Sequence, residues 1–122
     1  MIDSITLAVG ILNDALDVPV GTEIPANVTA DVPRELVTVA LDGDLSDEFL
    51  QRPRLTLTCW GKTDKEAHAL AVACVDALRD ESLDHPYLAN VDLETMSRDL
   101  WTRTGQSRYL VVVELTIDND ET

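Results

Sequence analysis

Apolar positions recur at two spacings along the chain, and the switches between them mark its elements. Near the start, Ile5, Val9, Leu12 and Leu16 return at close to helical spacing after Asp3, a residue suited to capping a helix. That helix is expected to stop near Asp17, because Pro19 cannot continue it and Gly21 follows. Residues 18–34 contain Pro19, Pro25 and Pro33, which predicts an extended connection with at most a short edge strand over 20–24. Residues 36–42 are rich in β-branched side chains and run into Gly43, a strand signal. The stretch 42–53 follows neither period and reads as a long loop, a feature that in compact domains is functional or disordered.

From residue 55 the period becomes two. Leu55, Leu57 and Cys59 alternate with Thr56, Thr58 and Trp60, as in a half-buried strand. Thr63 and Glu66 form a capping box, and the helix that follows places Ala67, Leu70, Ala71, Cys74, Val75 and Leu78 on one stripe, ending around 80–82. Its many alanines allow close packing on a sheet. Residues 87–96 read as a weaker strand with Val91 and Leu93 inward, and 98–107 as a polar connection around Trp101 and Gly105. The last strand, 108–117, puts Tyr109, Val111, Val113, Leu115 and Ile117 on one face, and 119–122 form a tail expected to fray. The order α-β-β-α-β-β predicts a single α+β domain: a mostly antiparallel sheet of about four strands with two helices on one face.

Charge changes the picture more than composition does. The 122 residues hold 23 acids and 9 bases, a net of −14. Residues 1–50 carry −9 of this and residues 51–122 the other −5. Such an excess disfavours sequence-independent nucleic-acid binding, which needs Lys and Arg on phosphates, and docking on an anionic membrane. At 45% hydrophobic the chain is ordinary for a globular fold, but only 4% is aromatic, so the core must be aliphatic. Cys59 and Cys74 both fall on apolar faces and are expected as reduced core residues. The first residues lack the basic stretch and long apolar core of a secretory signal, which predicts a soluble intracellular origin.

Candidate chemistry is sparse. Gly61-Lys62-Thr63 sits between a strand and a helix like a phosphate loop, but the glycine that motif needs five residues earlier is Thr56. Asp42, Asp44, Asp47 and Glu48 offer carboxylates to a hard cation, yet their spacing misses the calcium-loop pattern. His68 and His85 have no partner at metal spacing, and no serine or cysteine stands in a nucleophile motif. The expectation is therefore no catalytic residue, no metal and no cofactor. Contact surfaces are better marked. The acidic run 42–48, with Asp44, Asp47 and Glu48, is followed by Phe49, Leu50, Arg52 and Arg54, so opposite charges are segregated along one loop. That suits like subunits meeting head to tail; the alternative is an ordinary solvated loop. Trp60 is either the rim of the core or an interface anchor, and Trp101 with Arg98, Arg103 and Arg108 nearby offers a site for an acidic neighbour.

The sequence of elements, with the strand-Trp-turn-helix of 53–67 (Glu66-Ala67 opening the helix) and the Arg108-Tyr109 strand opening, resembles the tail terminator, or tail completion, proteins of long-tailed bacteriophages and prophages. The resemblance spans roughly residues 3–117. It implies a structural virion protein, assembled in the host cytoplasm and resident in the tail. Such proteins form a ring, usually a hexamer, on the last ring of the tail tube protein. The ring halts tail growth and presents a surface to the head–tail connector protein, and DNA passes through its hole without specific binding. The acidic subunit would then repel DNA from the channel wall. Expected contacts are the loop 43–53, Trp101 with Arg103, and the strand edges. Two alternatives stand beside it: a head–tail connector or stopper ring of the same virion, and a small cytoplasmic α+β ligand-binding or regulatory domain.

Overall fold

A computed structural model describes residues 3–23, 35–44, 46, 50–100 and 107–118. Helix α1 spans Ser4–Ala15. The Asp3 carboxylate caps it, accepting from the backbone N–H groups of Ile5 and Thr6 at 3.1 and 3.2 Å. The chain leaves helical geometry at Leu16 and enters β1, Val20–Gly21, which pairs in parallel with β2, Leu36–Asp44. β3, Pro53–Trp60, lies antiparallel to β2, and α2, Asp64–Ser82, follows it. β4, Leu88–Leu100, and β5, Ser107–Ile117, complete a five-stranded sheet of order β1-β2-β3-β5-β4. β3 and β4 both run antiparallel to β5, so α2 is a crossover between parallel strands with β5 inserted between them.

The fold class is the α+β sheet with two helices that the pattern predicts. Its sheet has five strands, because residues 20–21 add a short parallel edge. The polar connection expected over 98–107 begins later than predicted. β4 continues to Leu100, pairing Arg98 with Tyr109 and Asp99 with Arg108. Partners elsewhere in the fold satisfy its charged side chains, so polarity does not end the strand there. The fraying tail expected at 119–122 lies outside the described residues.

The core lies between the helices and one face of the sheet. Val37, Val39, Leu55, Leu57, Cys59, Val111, Val113 and Leu115 are all at most 1% exposed. Ala71, Cys74, Val75 and Leu78 of α2 pack on them and Ala67 is buried at the start of the same stripe, as expected from the sequence, with Leu70 half-buried at its margin. In α1 the phase differs from the expected one. Ser4, Ala8 and Leu12 are buried, whereas Ile5 and Val9 are only partly so. The apolar arc of the helix is broad, with Thr6, Asn13 and Asp14 on the outer side, and Ser4 and Ala8 share the inner position with Leu12.

Neither helix covers the other sheet face. At its centre Thr58 faces Leu110 and Thr56 faces Val112 across the β3–β5 ladder, all four half-buried. Thr38, Ala40, Thr95 and Ser97 extend this surface outward to β2 and β4. A run of small or β-branched side chains on that side gives a flat surface, which pleated alternation produces when the opposite face forms the core.

Candidate functional site

The loop after β2 is pinned at both ends. The Asp44 carboxylate accepts from the Ser46 backbone N–H at 2.9 Å and from the Ser46 hydroxyl, a local turn typical of Asp. The Ser46 hydroxyl oxygen in turn accepts from the Arg52 N–H at 2.8 Å, which closes the loop on itself. Gln51 continues the β3–β5 ladder past Pro53, exchanging backbone hydrogen bonds of 3.0 and 2.8 Å with Ile117. Of the loop residues proposed as contacts, Asp44 is exposed, Leu50 is half-buried, and Asp47, Glu48 and Phe49 lie outside the described residues.

Arg52 and Arg54 stand on the uncovered sheet face, where carboxylates from other strands meet them. Arg52 Nε donates to Glu114 at 2.9 Å, and Glu114 is only 14% exposed. Arg54 Nε lies 2.5 Å from Glu94 and 3.8 Å from Asp42. The two arginines therefore tie β2, β3, β4 and β5 together across this face. Both arginine side chains stay more than 40% exposed, so each can still meet a neighbour, but with its charge already balanced inside the chain. Opposite charges segregated along the sequence are thus mixed in space.

A second charged group lies at the far end of the same face. Trp60 is 2% exposed, with the Arg108 guanidinium 5.9 Å from its ring centroid. Arg108 Nε donates to Asp99 at 2.7 Å. Burial gives Trp60 to the core rim and removes it as an exposed anchor. Arg98, on the helix side, pairs with Asp64 at 2.8 Å. A hydrogen bond from Ser107 and this pairing with Arg98 hold the Asp64 carboxyl below its usual range. Arg98 and Arg108 thus both have carboxylate partners within the chain; Trp101 and Arg103 lie outside the described residues.

Gly61-Lys62-Thr63 has a structural use. A Cβ on Gly61 would stand 2.4 Å from Ala67 N, so only glycine lets β3 turn directly under α2. The Thr63 hydroxyl caps that helix by accepting from Glu66 N–H at 3.2 Å. Cys59 and Cys74 are buried free thiols, hydrogen-bonded with their Sγ atoms 3.8 Å apart and without a disulfide between them. Hydrogen bonding to Cys74 and burial push the Cys59 thiol well above its ordinary value. Among the described residues no three His, Cys, Asp or Glu side chains converge as a metal site would require. No helix among them is long and apolar enough to cross a membrane.

Two surfaces escaped the sequence reading. Leu41 is 51% exposed beside Asp42 and Asp44, an apolar contact point where Phe49 and Leu50 were expected to serve. An open groove of about 570 Å³ runs between α1 and α2, joining residues far apart in sequence. Compared with known protein families the chain matches none, and no curated protein matches it.

Proposed function

We propose that the protein is a structural virion subunit of the tail-terminator kind. Six copies close into a ring that caps the tail tube, stops its growth and offers a surface for head–tail joining, with DNA passing through the hole. On this reading it has no catalytic role and works through surfaces, in the tail of a virion assembled in the host cytoplasm. The single observation that carries the reading is the uneven use of the sheet. Two helices pack one face; among the described residues neither helix covers the half-buried centre of the other face, and the long edge strand β4 has no strand on its outer side. A subunit that offers a flat face and an outer strand edge can contact two neighbours at once, and a head-to-tail contact between identical chains must close or extend without end. The two bulges in β4 and its charges at Asp92, Glu94, Arg98 and Asp99 discourage unregistered pairing, as managed edges do.

Light scattering after size exclusion, with negative-stain microscopy of any large species, tests it. The expected result is a discrete sixfold ring with a central hole, or a monomer that binds one end of purified tail tubes. A monomer that ignores tube ends would overturn the terminator reading.

A further inference from the structure

We infer that the groove between α1 and α2 is a docking site for a cationic amphipathic helix of another protein. The inference goes beyond the ring proposal and stands whether or not copies assemble. Half-buried Leu7 and Ile11 of α1 and Ala77 of α2 floor the groove, exposed Gly10 stands at its margin, and Asp14, Asp80 and Glu81 add carboxylates to its lining. A second recess of about 350 Å³ adjoins it, sharing Thr6, Leu7 and His85 and ending at Pro86 and Tyr87. Together they follow α1 from Thr6 to Ala15, about 14 Å at the helical rise per residue, room for two to three turns of a partner helix. Where they join, His85 Nδ1 accepts from the N–H groups of Tyr87 and Leu88, both at 3.0 Å. The ring is thereby fixed as the tautomer with its proton on Nε2.

Two independent features point to an occupant. The first is charge: the described lining residues include three carboxylates and no Lys or Arg, over an apolar floor. An apolar stripe flanked by lysine or arginine complements both. The second is Gly10. It lies inside a helix, where glycine costs about 1 kcal/mol relative to alanine. A Cβ there would meet nothing within 4 Å, so the fold itself does not require glycine. Glycine at that point keeps the exposed margin of the groove low, as close approach by another backbone requires. A second copy of this chain fits poorly. Each copy carries −14, and Arg52, Arg54, Arg98 and Arg108 are already paired with its own carboxylates.

The test uses a fluorescein-labelled, amidated 14-residue peptide of leucine, alanine and lysine with the lysines on one helical face, and a scrambled peptide of the same composition. Fluorescence anisotropy follows binding to the full chain at 50 and 300 mM NaCl. The amphipathic peptide is expected to bind in preference to the scrambled one, and more weakly at the higher salt. The double variant Asp14→Lys/Asp80→Lys places its new charges near helix C-termini, where cations are tolerated, and is expected to weaken binding about tenfold or more. Gly10→Leu is expected to weaken it similarly without lowering the melting temperature. Asp76→Lys, half that charge change and on α2 outside the groove lining, is expected to cost much less binding than the double variant. Equal binding of the scrambled peptide, an equal loss in Asp76→Lys, or no effect of Gly10→Leu overturns the proposal. So does self-association, seen by sedimentation, that Gly10→Leu abolishes, because the occupant would then be a second copy.

Discussion

The same chemical change, glycine to alanine, should have opposite effects at two positions. At Gly61 the new methyl would lie 2.4 Å from Ala67 N, 2.8 Å from Ala67 Cα and 2.9 Å from the Glu66 carbonyl carbon. These are backbone atoms of the first turn of α2, held by the Ala67 N–H bond to Thr63 O at 3.0 Å and by the Thr63 cap. Gly61 cannot retreat easily, since its own N–H donates to Ser107 O at 3.1 Å. Relief requires moving the helix start, which combines an overpacking cost of about 1–3 kcal/mol with loss of a cap worth about 1 kcal/mol. A 122-residue domain has a total stability of roughly 6–18 kcal/mol, so a loss of about 2–4 kcal/mol is severe. The melting temperature should fall by roughly 6–20 °C. At Gly10 the methyl meets nothing within 4 Å, and Gly10→Ala should stabilise by about 0.4–1 kcal/mol through the unfolded chain. Urea titration followed by circular dichroism measures both, with an unchanged slope confirming that only stability moved. A Gly61→Ala protein within about 0.5 kcal/mol of the parent, a change typical of neutral surface sites, would refute the steric account of the β3–α2 turn.

Two further outcomes follow from the buried thiols and the capped carboxylates. Cys59 and Cys74 should resist a thiol reagent such as dithionitrobenzoate in the folded protein at pH 8 and both react on unfolding in urea; rapid reaction of either in the native state would contradict their burial. Asp3, held down chiefly by the Thr6 backbone N–H, and Asp64, held down chiefly by Ser107 and then Arg98, have lower pKa values folded than unfolded. Their contribution is therefore complete above the unfolded value and is lost as pH falls through the folded one. The urea midpoint should drop on acidification below the ordinary carboxylate range, and Asp64→Asn should drop less; identical pH profiles for the two proteins would exclude a role for Asp64.

What was legible in the sequence was local. Thr63, Glu66 and the alternation from Leu55 to Cys59 define β3 and α2 within a span of a few residues each, and the structure follows them closely. In α1 the apolar arc is broad, with Leu7 and Ile11 on one flank of the buried stripe and Ile5 and Val9 on the other, so more than one phase fits; Ser4, Ala8 and Leu12 take the inner position. The end of β4 was hidden for a different reason. Arg98 and Asp99 look like loop residues until Asp64 and Arg108 are seen beside them. The groove had no sequence signature, since Ile11 and Ala77 meet only after the fold brings α1 onto α2. Arg52 and Arg54 resemble a patch awaiting an acidic partner, and Glu114 and Glu94 already supply one from distant strands.

That internal pairing bears on how copies of this chain could meet. If the described arginines on the sheet balance carboxylates of their own subunit, ion pairs between subunits are a weak basis for a ring. Six chains carrying −14 each would repel at close quarters. The half-buried face of Thr56, Thr58, Leu110 and Val112 and the outer edge of β4, which no described strand covers, then become the attractive surfaces, through apolar burial and backbone hydrogen bonds that need no charge. Association of that kind strengthens as salt rises, since the screening length shrinks from about 10 Å at 0.1 M to about 3 Å at 1 M. A cationic helix in the α1–α2 groove behaves in the opposite sense and leaves as salt rises. The two surfaces lie on opposite sides of the sheet, one built from strands and the other from helices, and their opposing responses to salt mean that weakening one contact need not weaken the other.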